Sequence, residues 1–191
     1  MLKQVAVVFA MLIVLAVPAA GQEPGTQARD GDRSERYFRA TVFFGAGWPV
    51  GDMNVHFDPG FTAGARAEYT LSPMTRVGAQ IGFHSFDHEP LPGTVDNEGI
   101  VELSLLAKAV GAWGPYDPFA LIGLGAFHTK DQVAAGRRWD GGLQLGGGLG
   151  LEVSEHLTVL VGTSFYLVFR GGDNNNYLWF DGYLGFDFRQ P

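Results

Sequence analysis

Five histidines and no cysteine bound the chemistry open to this chain. His84, His88 and His128 lie close in sequence to Asp87, Glu89 and Asp131, and the stretch His84-Ser85-Phe86-Asp87-His88 holds imidazole, hydroxyl and carboxylate together. Such a set could ligate a metal through imidazole and carboxylate. It could also arm a serine nucleophile with a neighbouring histidine as base. Neither arrangement is expected to form. His84 and His128 fall on segments separated by a third, without an established ligand spacing, and they read as solvated groups at a rim. Adjacent strand residues point to opposite faces, so His84 and Ser85 are poorly placed as a nucleophile and base. The glycine run from Gly142 to Gly150 precedes no helix and no Gly-Lys-Ser/Thr, so it is no phosphate loop. Without cysteine, thiolate metal sites and disulfides are excluded. A net charge of −7 gives no electrostatic reason to bind nucleic acid. The sequence therefore predicts no catalytic, cofactor-binding or metal-binding residues.

What would position any such group is set by the composition. Glycine supplies 28 of 191 residues, about twice its usual ~7% share, and charged residues are below their usual ~25%. Met1-Leu2-Lys3, the apolar run Val5 to Val17 and the small residues Ala19-Ala20-Gly21 form the pattern of a cleaved secretory signal over 1–21. Residues 22–36 are polar and read as a flexible segment. After the signal, no apolar run is long enough for a membrane helix.

From Tyr37 the hydrophobic period is two, which predicts strands. Phe38, Ala40, Val42 and Phe44 alternate with Arg39, Thr41 and Phe43, and Phe61 to Tyr69 alternate with Thr62, Arg66, Glu68 and Thr70. Val77, Ala79, Ile81 and Phe83 oppose Arg76, Gln80 and His84, and Val101, Leu103, Leu105 and Ala107 oppose Glu102, Ser104 and Lys108. The fifth segment, 119–128, is apolar on both faces, with Ala120, Ile122, Leu124 and Ala126 assigned outward. Three more follow: Leu143, Leu145 and Leu149 against Asp140, Gln144 and Glu152; Val159, Val161 and Phe165 against Thr158, Ser164 and Tyr166; and Phe180, Leu184 and Phe186 against Trp179, Asp181 and Tyr183. Longer connections (48–59, 87–98, 129–138, 170–176) alternate with short turns (71–74, 112–117, 154–157). The predicted fold is all-β: an eight-stranded antiparallel up-and-down transmembrane β-barrel over 37–188.

Alternation alone would also suit a soluble, lipocalin-like barrel with an apolar interior. Glycine decides against it. Gly45, Gly64, Gly78, Gly82, Gly146, Gly148 and Gly162 share the polar face, where a narrow eight-stranded interior leaves little room for side chains. The 146–148 run is expected to make room for Tyr166 or Arg66. The polar face is thus placed inside, with Arg66, Glu68, Arg76, Glu102, Lys108, Asp140, Glu152 and Asp181 as its polar network. Pairing across 71–74 is expected to set Glu68 opposite Arg76, Arg66 opposite Gly78 and Ala67 opposite Val77. Exchanging Glu68 and Arg76 should then be tolerated better than Glu68→Lys alone. Across 154–157, Gly148 should oppose Gly162 and Asp140 oppose Arg170. Trp48, Phe61, Phe83, Phe127, Trp139, Phe169, Tyr177 and Trp179 lie near the long-connection ends of their strands, and Tyr37, Phe38, Tyr69, Trp113, Tyr116, Phe119 and Phe188 near the other ends. They read as two interfacial belts.

In three places the chain resembles the small OmpA/OmpX-type outer-membrane barrel superfamily: the turn Tyr69-Thr70-Leu71-Ser72-Pro73-Met74, the turn Glu152-Val153-Ser154-Glu155-His156-Leu157, and the closing strand Tyr183-Leu184-Gly185-Phe186-Asp187-Phe188. That strand is similar to the terminal signal read by the barrel-assembly machinery, although Arg189-Gln190-Pro191 follow its last aromatic. The resemblance implies a monomer among outer-membrane lipids and lipopolysaccharide, with termini in the periplasm and long loops outside the cell. It implies a structural or surface-interaction role. Two alternatives belong to the same resemblance. One is OmpW-like passage of small hydrophobic molecules. The other is lipid A modification, for which the His-x-Ser motif of the deacylase type is missing here.

Overall fold

A strand with one apolar and one polar face leaves its edges unpaired unless the sheet closes on itself. The computed structural model describes residues 37–51, 53, 57–88, 98–130, 137–169 and 176–189, and in it the sheet does close. The strands are β1 (Phe38–Val50), β2 (Phe57–Ser72), β3 (Thr75–His88), β4 (Glu98–Val110), β5 (Tyr116–Lys130), β6 (Arg137–Ser154), β7 (Leu157–Phe169) and β8 (Tyr177–Arg189). Each pairs antiparallel with its neighbour in sequence, and β1 pairs with β8. The predicted signal and the segment 22–36 lie outside the described residues.

Strands run from 13 to 18 residues, longer than the roughly ten that cross the hydrocarbon of a membrane. Their ends continue into stretches read as connections: β2 begins at Phe57 and β5 at Tyr116. Hydrogen bonding with a neighbour extends a strand past the point where its hydrophobic pattern stops.

The polar face is inside. Arg39, Thr41, Thr62, Arg66, Glu68, Arg76, Gln80, Glu102 and Lys108 are buried, while Val42, Phe44, Phe61, Ile81, Leu103, Leu105, Ile122, Leu124 and Val161 are exposed. A lipocalin-like arrangement is its reverse. On β5, Ile122 and Leu124 face out and Phe119, Leu121 and Phe127 face in.

The β2–β3 hairpin is two residues out of the expected register. Glu68 faces Gly78, Arg66 faces Gln80, Ala67 faces Ala79, and Arg76 faces Thr70. The cause is a turn of only Pro73 and Met74, which joins Ser72 directly to Thr75, followed by a shift between Thr70 and Ser72. Pairing an even with an odd residue would turn one strand's inward face against its partner's outward face. The extra residue, Leu71, restores the parity as a bulge does. The β6–β7 hairpin repeats the device, with a shift between Glu152 and Ser154 and Ser154 paired to Leu157. There Gly148 faces Gly162 as expected, and the Asp140–Arg170 pair lies outside the described residues.

Glycine makes the interior possible through cross-strand pairs with aromatic rings. Phe43 faces Gly64, Phe119 faces Gly148 and Tyr183 faces Gly162. A Cβ on Gly148 would lie 2.9 Å from the Phe119 ring, and one on Gly162 2.7 Å from that of Tyr183. The occupants of the 146–148 run are therefore Phe119, Leu121 and Ser164, in place of Tyr166 or Arg66. β5 supplies two of these side chains because its interior face is apolar.

The belts lose four members for the same reason of parity, Tyr177 among them because it is half-buried and packs against the inner apolar cluster. Phe127 and Trp179 are fully buried and Phe119 nearly so. Trp48, Phe61, Phe83, Trp139 and Phe169 are exposed at the long-connection end, and Phe38, Tyr69, Trp113, Tyr116 and Phe188 at the turn end. Position along a strand chooses the belt; the odd or even residue number chooses wall or lumen.

Candidate functional site: the filled interior

Two apolar clusters and two polar networks fill the barrel. Nearer the long connections, Phe57, Phe86, Ile100, Phe127, Tyr166, Val168 and Trp179 pack together with Met53. Nearer the turns, Phe43, Val110, Phe119, Leu121, Leu160 and Tyr183 form the second cluster.

The lower network centres on Glu68 of β2. Lys108 of β4 donates to both of its oxygens at 3.1 and 3.2 Å, and the guanidinium groups of Arg66 and Arg76 approach to 3.6 and 3.7 Å. Arg76 also lies 3.6 Å from Asp187, to which Arg39 donates at 2.6 Å and Thr41 at 3.1 Å. The Lys108 ammonium sits 4.7 Å from the centre of the Phe119 ring, and Arg66 lies over Phe43. Cation–ring contact adds to the ion pairs where water is excluded. Buried charges survive only when paired and hydrogen-bonded, and here four cations share two carboxylates.

Arg66 links this network to the upper one. It donates through Nε and Nη2 to Gln80 Oε1 at 2.9 and 2.7 Å, and Gln80 Nε2 donates to Glu102 at 2.8 Å. Ser104 also donates to Glu102, at 2.6 Å. Gln144 donates to Tyr166 at 3.0 Å and to Ser164 at 3.3 Å. Thr62 donates to Asp181 at 3.0 Å. The Tyr166 and Trp179 rings, paired across β7 and β8, stack 4.7 Å apart over this layer.

Of the predicted network, Arg66, Glu68, Arg76, Glu102, Lys108, Asp140 and Asp181 are buried. Glu152 is a correction: it is exposed at the turn end of β6, where its strand has run past the packed interior. Parity gave its face but not its height. Arg39, Thr62, Gln80, Gln144 and Asp187 are among the members not singled out, although all fall on inward positions.

His84 is the other correction. It is fully buried, not solvated at the rim. Its Nδ1 lies 3.1 Å from Asp181 and 3.0 Å from Thr62, and its Nε2 lies 3.3 Å from Glu102. Its ring meets those of Tyr166 and Trp179 edge-on. Ser85 lies on the opposite face of β3 and pairs with Phe61 and Gly99. His128, on β5, packs instead against Trp139 at 4.9 Å.

A closed up-and-down barrel with an apolar outer wall, two aromatic belts and a charged, packed lumen has the fold of the small OmpA/OmpX-type outer-membrane barrels. Solved structures agree. Neisserial surface protein A superposes with a TM-score of 0.62 at 12% identity, over 79% of this chain and 96% of that one. The N-terminal β-barrel domain of Pseudomonas aeruginosa OprF superposes at 0.53 with 12% identity, over 82% of this chain and all of that one, 100%. No family model matches the sequence, and no curated protein matches it.

Proposed function

We propose that this protein is an exported outer-membrane barrel with a structural or surface-interaction role and no catalysis. One observation carries the reading: the exposed wall is apolar, bearing residues such as Leu105, Leu124 and Val161, while the charged residues are turned into the lumen. A wall of this kind is costly in water and suits hydrocarbon. The packed network would hold the wall rigid and leave recognition to the long connections 48–59, 87–98, 129–138 and 170–176. A nucleophile and base are not offered by His84 and Ser85, which lie on opposite faces of β3.

Membrane fractionation, followed by gel mobility before and after boiling, tests this reading. The expected result is recovery with the outer membrane and a faster-migrating unboiled band. Recovery in the soluble periplasm would overturn it. Amino-terminal sequencing of the purified protein should begin at Gln22. Lipid A from cells with and without the protein should give the same mass spectrum.

A further inference from the structure

Among the described residues, His84 is the one imidazole within the upper network, and its two nitrogens face two different carboxylates. The hydrogen bonds around it fix where the protons must be. The Thr62 hydroxyl gives its proton to Asp181 Oδ2, so toward Nδ1 it can only accept. Nδ1 therefore carries a proton, shared between Thr62 and Asp181. On the other side, Glu102 already accepts from Gln80 and Ser104, as an ionised carboxylate does. Nε2 faces that same acceptor at 3.3 Å, and without a proton it would set lone pair against lone pair.

Charge placement gives a second, independent argument. Among the described residues, the buried charged groups are four basic side chains (Arg39, Arg66, Arg76, Lys108) and five carboxylates (Glu68, Glu102, Asp140, Asp181, Asp187). The lower network gathers the cations, whereas Glu102 and Asp181 have, among the described residues, only the imidazole directly against them as a charge partner. A charged His84 gives these two carboxylates a cation of their own.

We propose that His84 is a doubly protonated imidazolium that bolts β3 to β8 and β4 across the lumen, forming a proton-dependent latch for the outer half of the barrel. Its charged neighbours are Asp181 on β8 and Glu102 on β4. The Tyr166 ring on β7 is its remaining titratable neighbour among the described residues, while β2 supplies the neutral Thr62. The bolt crosses two intervening strands, because Asp181 reaches over β1 beside Gly47. Removing one ring proton leaves a carboxylate facing a lone pair, so the latch releases from one side only.

The test uses the full mature chain refolded in lipid nanodiscs with nitrogen-15-labelled histidine. At neutral pH, both ring nitrogens of His84, assigned by their loss in H84Q, should show attached protons and imidazolium shifts. A second arm follows amide exchange in the long-connection halves of β3 and β8. As pH rises, the protection of these amides, corrected for their base-catalysed intrinsic exchange, should fall together with loss of the second ring proton, and H84Q should abolish that fall. H84Q/D181N, which removes the unbalanced carboxylate, should recover part of the heat resistance that H84Q loses. A single protonated nitrogen at neutral pH, with the second proton on Glu102 or Asp181, would overturn the proposal. So would an H84Q chain whose corrected protection keeps the wild-type pH dependence.

Discussion

The carboxylate of Glu102 occupies the space that a side chain at position 82 would need. A Cβ on Gly82 would lie 2.7 Å from Glu102 Oε2 and 3.2 Å from His84 Nε2. Gly82 and Glu102 face each other across β3 and β4, and the missing side chain allows the Glu102–His84 contact. Gly82→Ala should therefore destabilise the barrel by about 1–3 kcal/mol, as overpacking does. Gly141→Ala, where a Cβ would meet nothing within 4 Å, should stay within ~0.5 kcal/mol of the parent. Urea titration of the protein refolded in lipid vesicles, read by gel mobility, checks both.

Glu68→Gln removes the carboxylate shared by Lys108, Arg66 and Arg76. Breaking a buried pair from one side costs about 3–5 kcal/mol, and Glu68→Gln combined with Lys108→Met should recover part of it. The exchange of Glu68 and Arg76, tolerable if the two faced each other alone, should now be as harmful as Glu68→Arg. An arginine at 68 would meet Lys108 and Arg66, and a carboxylate at 76 would meet Asp187. The same urea titration separates these outcomes.

Tyr183 and Gly162 should be energetically coupled. Gly162→Ala alone drives a methyl into the ring and should cost about 1–3 kcal/mol. In the double variant with Tyr183→Leu, the alanine should cost less, with a coupling energy of about 0.5–3 kcal/mol. A strictly additive double-mutant cycle would contradict the packing described.

Tryptophan fluorescence distinguishes wall from lumen. In single-tryptophan variants within brominated-lipid vesicles, Trp48 and Trp139 should be quenched and Trp179 should not, because only Trp179 is fully buried. Strong quenching of Trp179 would mean that β8 is turned inside out.

Parity was the legible part of this chain. Alternation alone assigned Arg66, Glu68, Gln80 and Asp181 to one face, and glycine on that face identified it as the lumen. Three kinds of information were not local enough to read. Hairpin register depends on turn length and bulges, and one extra residue at Leu71 moved the partner of Glu68 from Arg76 to Gly78. Height along the barrel axis depends on how far each strand is extended by its neighbours, which placed Glu152 in the open. Contacts across the lumen join strands that do not pair. His84 on β3 meets Asp181 on β8 through the tilt and closure of the whole sheet, and no spacing in the sequence encodes that meeting.

The closure of β1 on β8 also bears on how such a chain reaches its final state. Arg39 and Asp187, 148 positions apart, share an ion pair, so the earliest and latest parts of the barrel complete one another. A single hairpin entering hydrocarbon would carry Arg66, Glu68 and Arg76 with one of its faces unsheltered, and charges at that depth are expensive. On the proposed membrane reading, insertion is therefore a collective event. The strands must share their polar faces before or while they cross, and a chain halted short of β8 would have no seam to close.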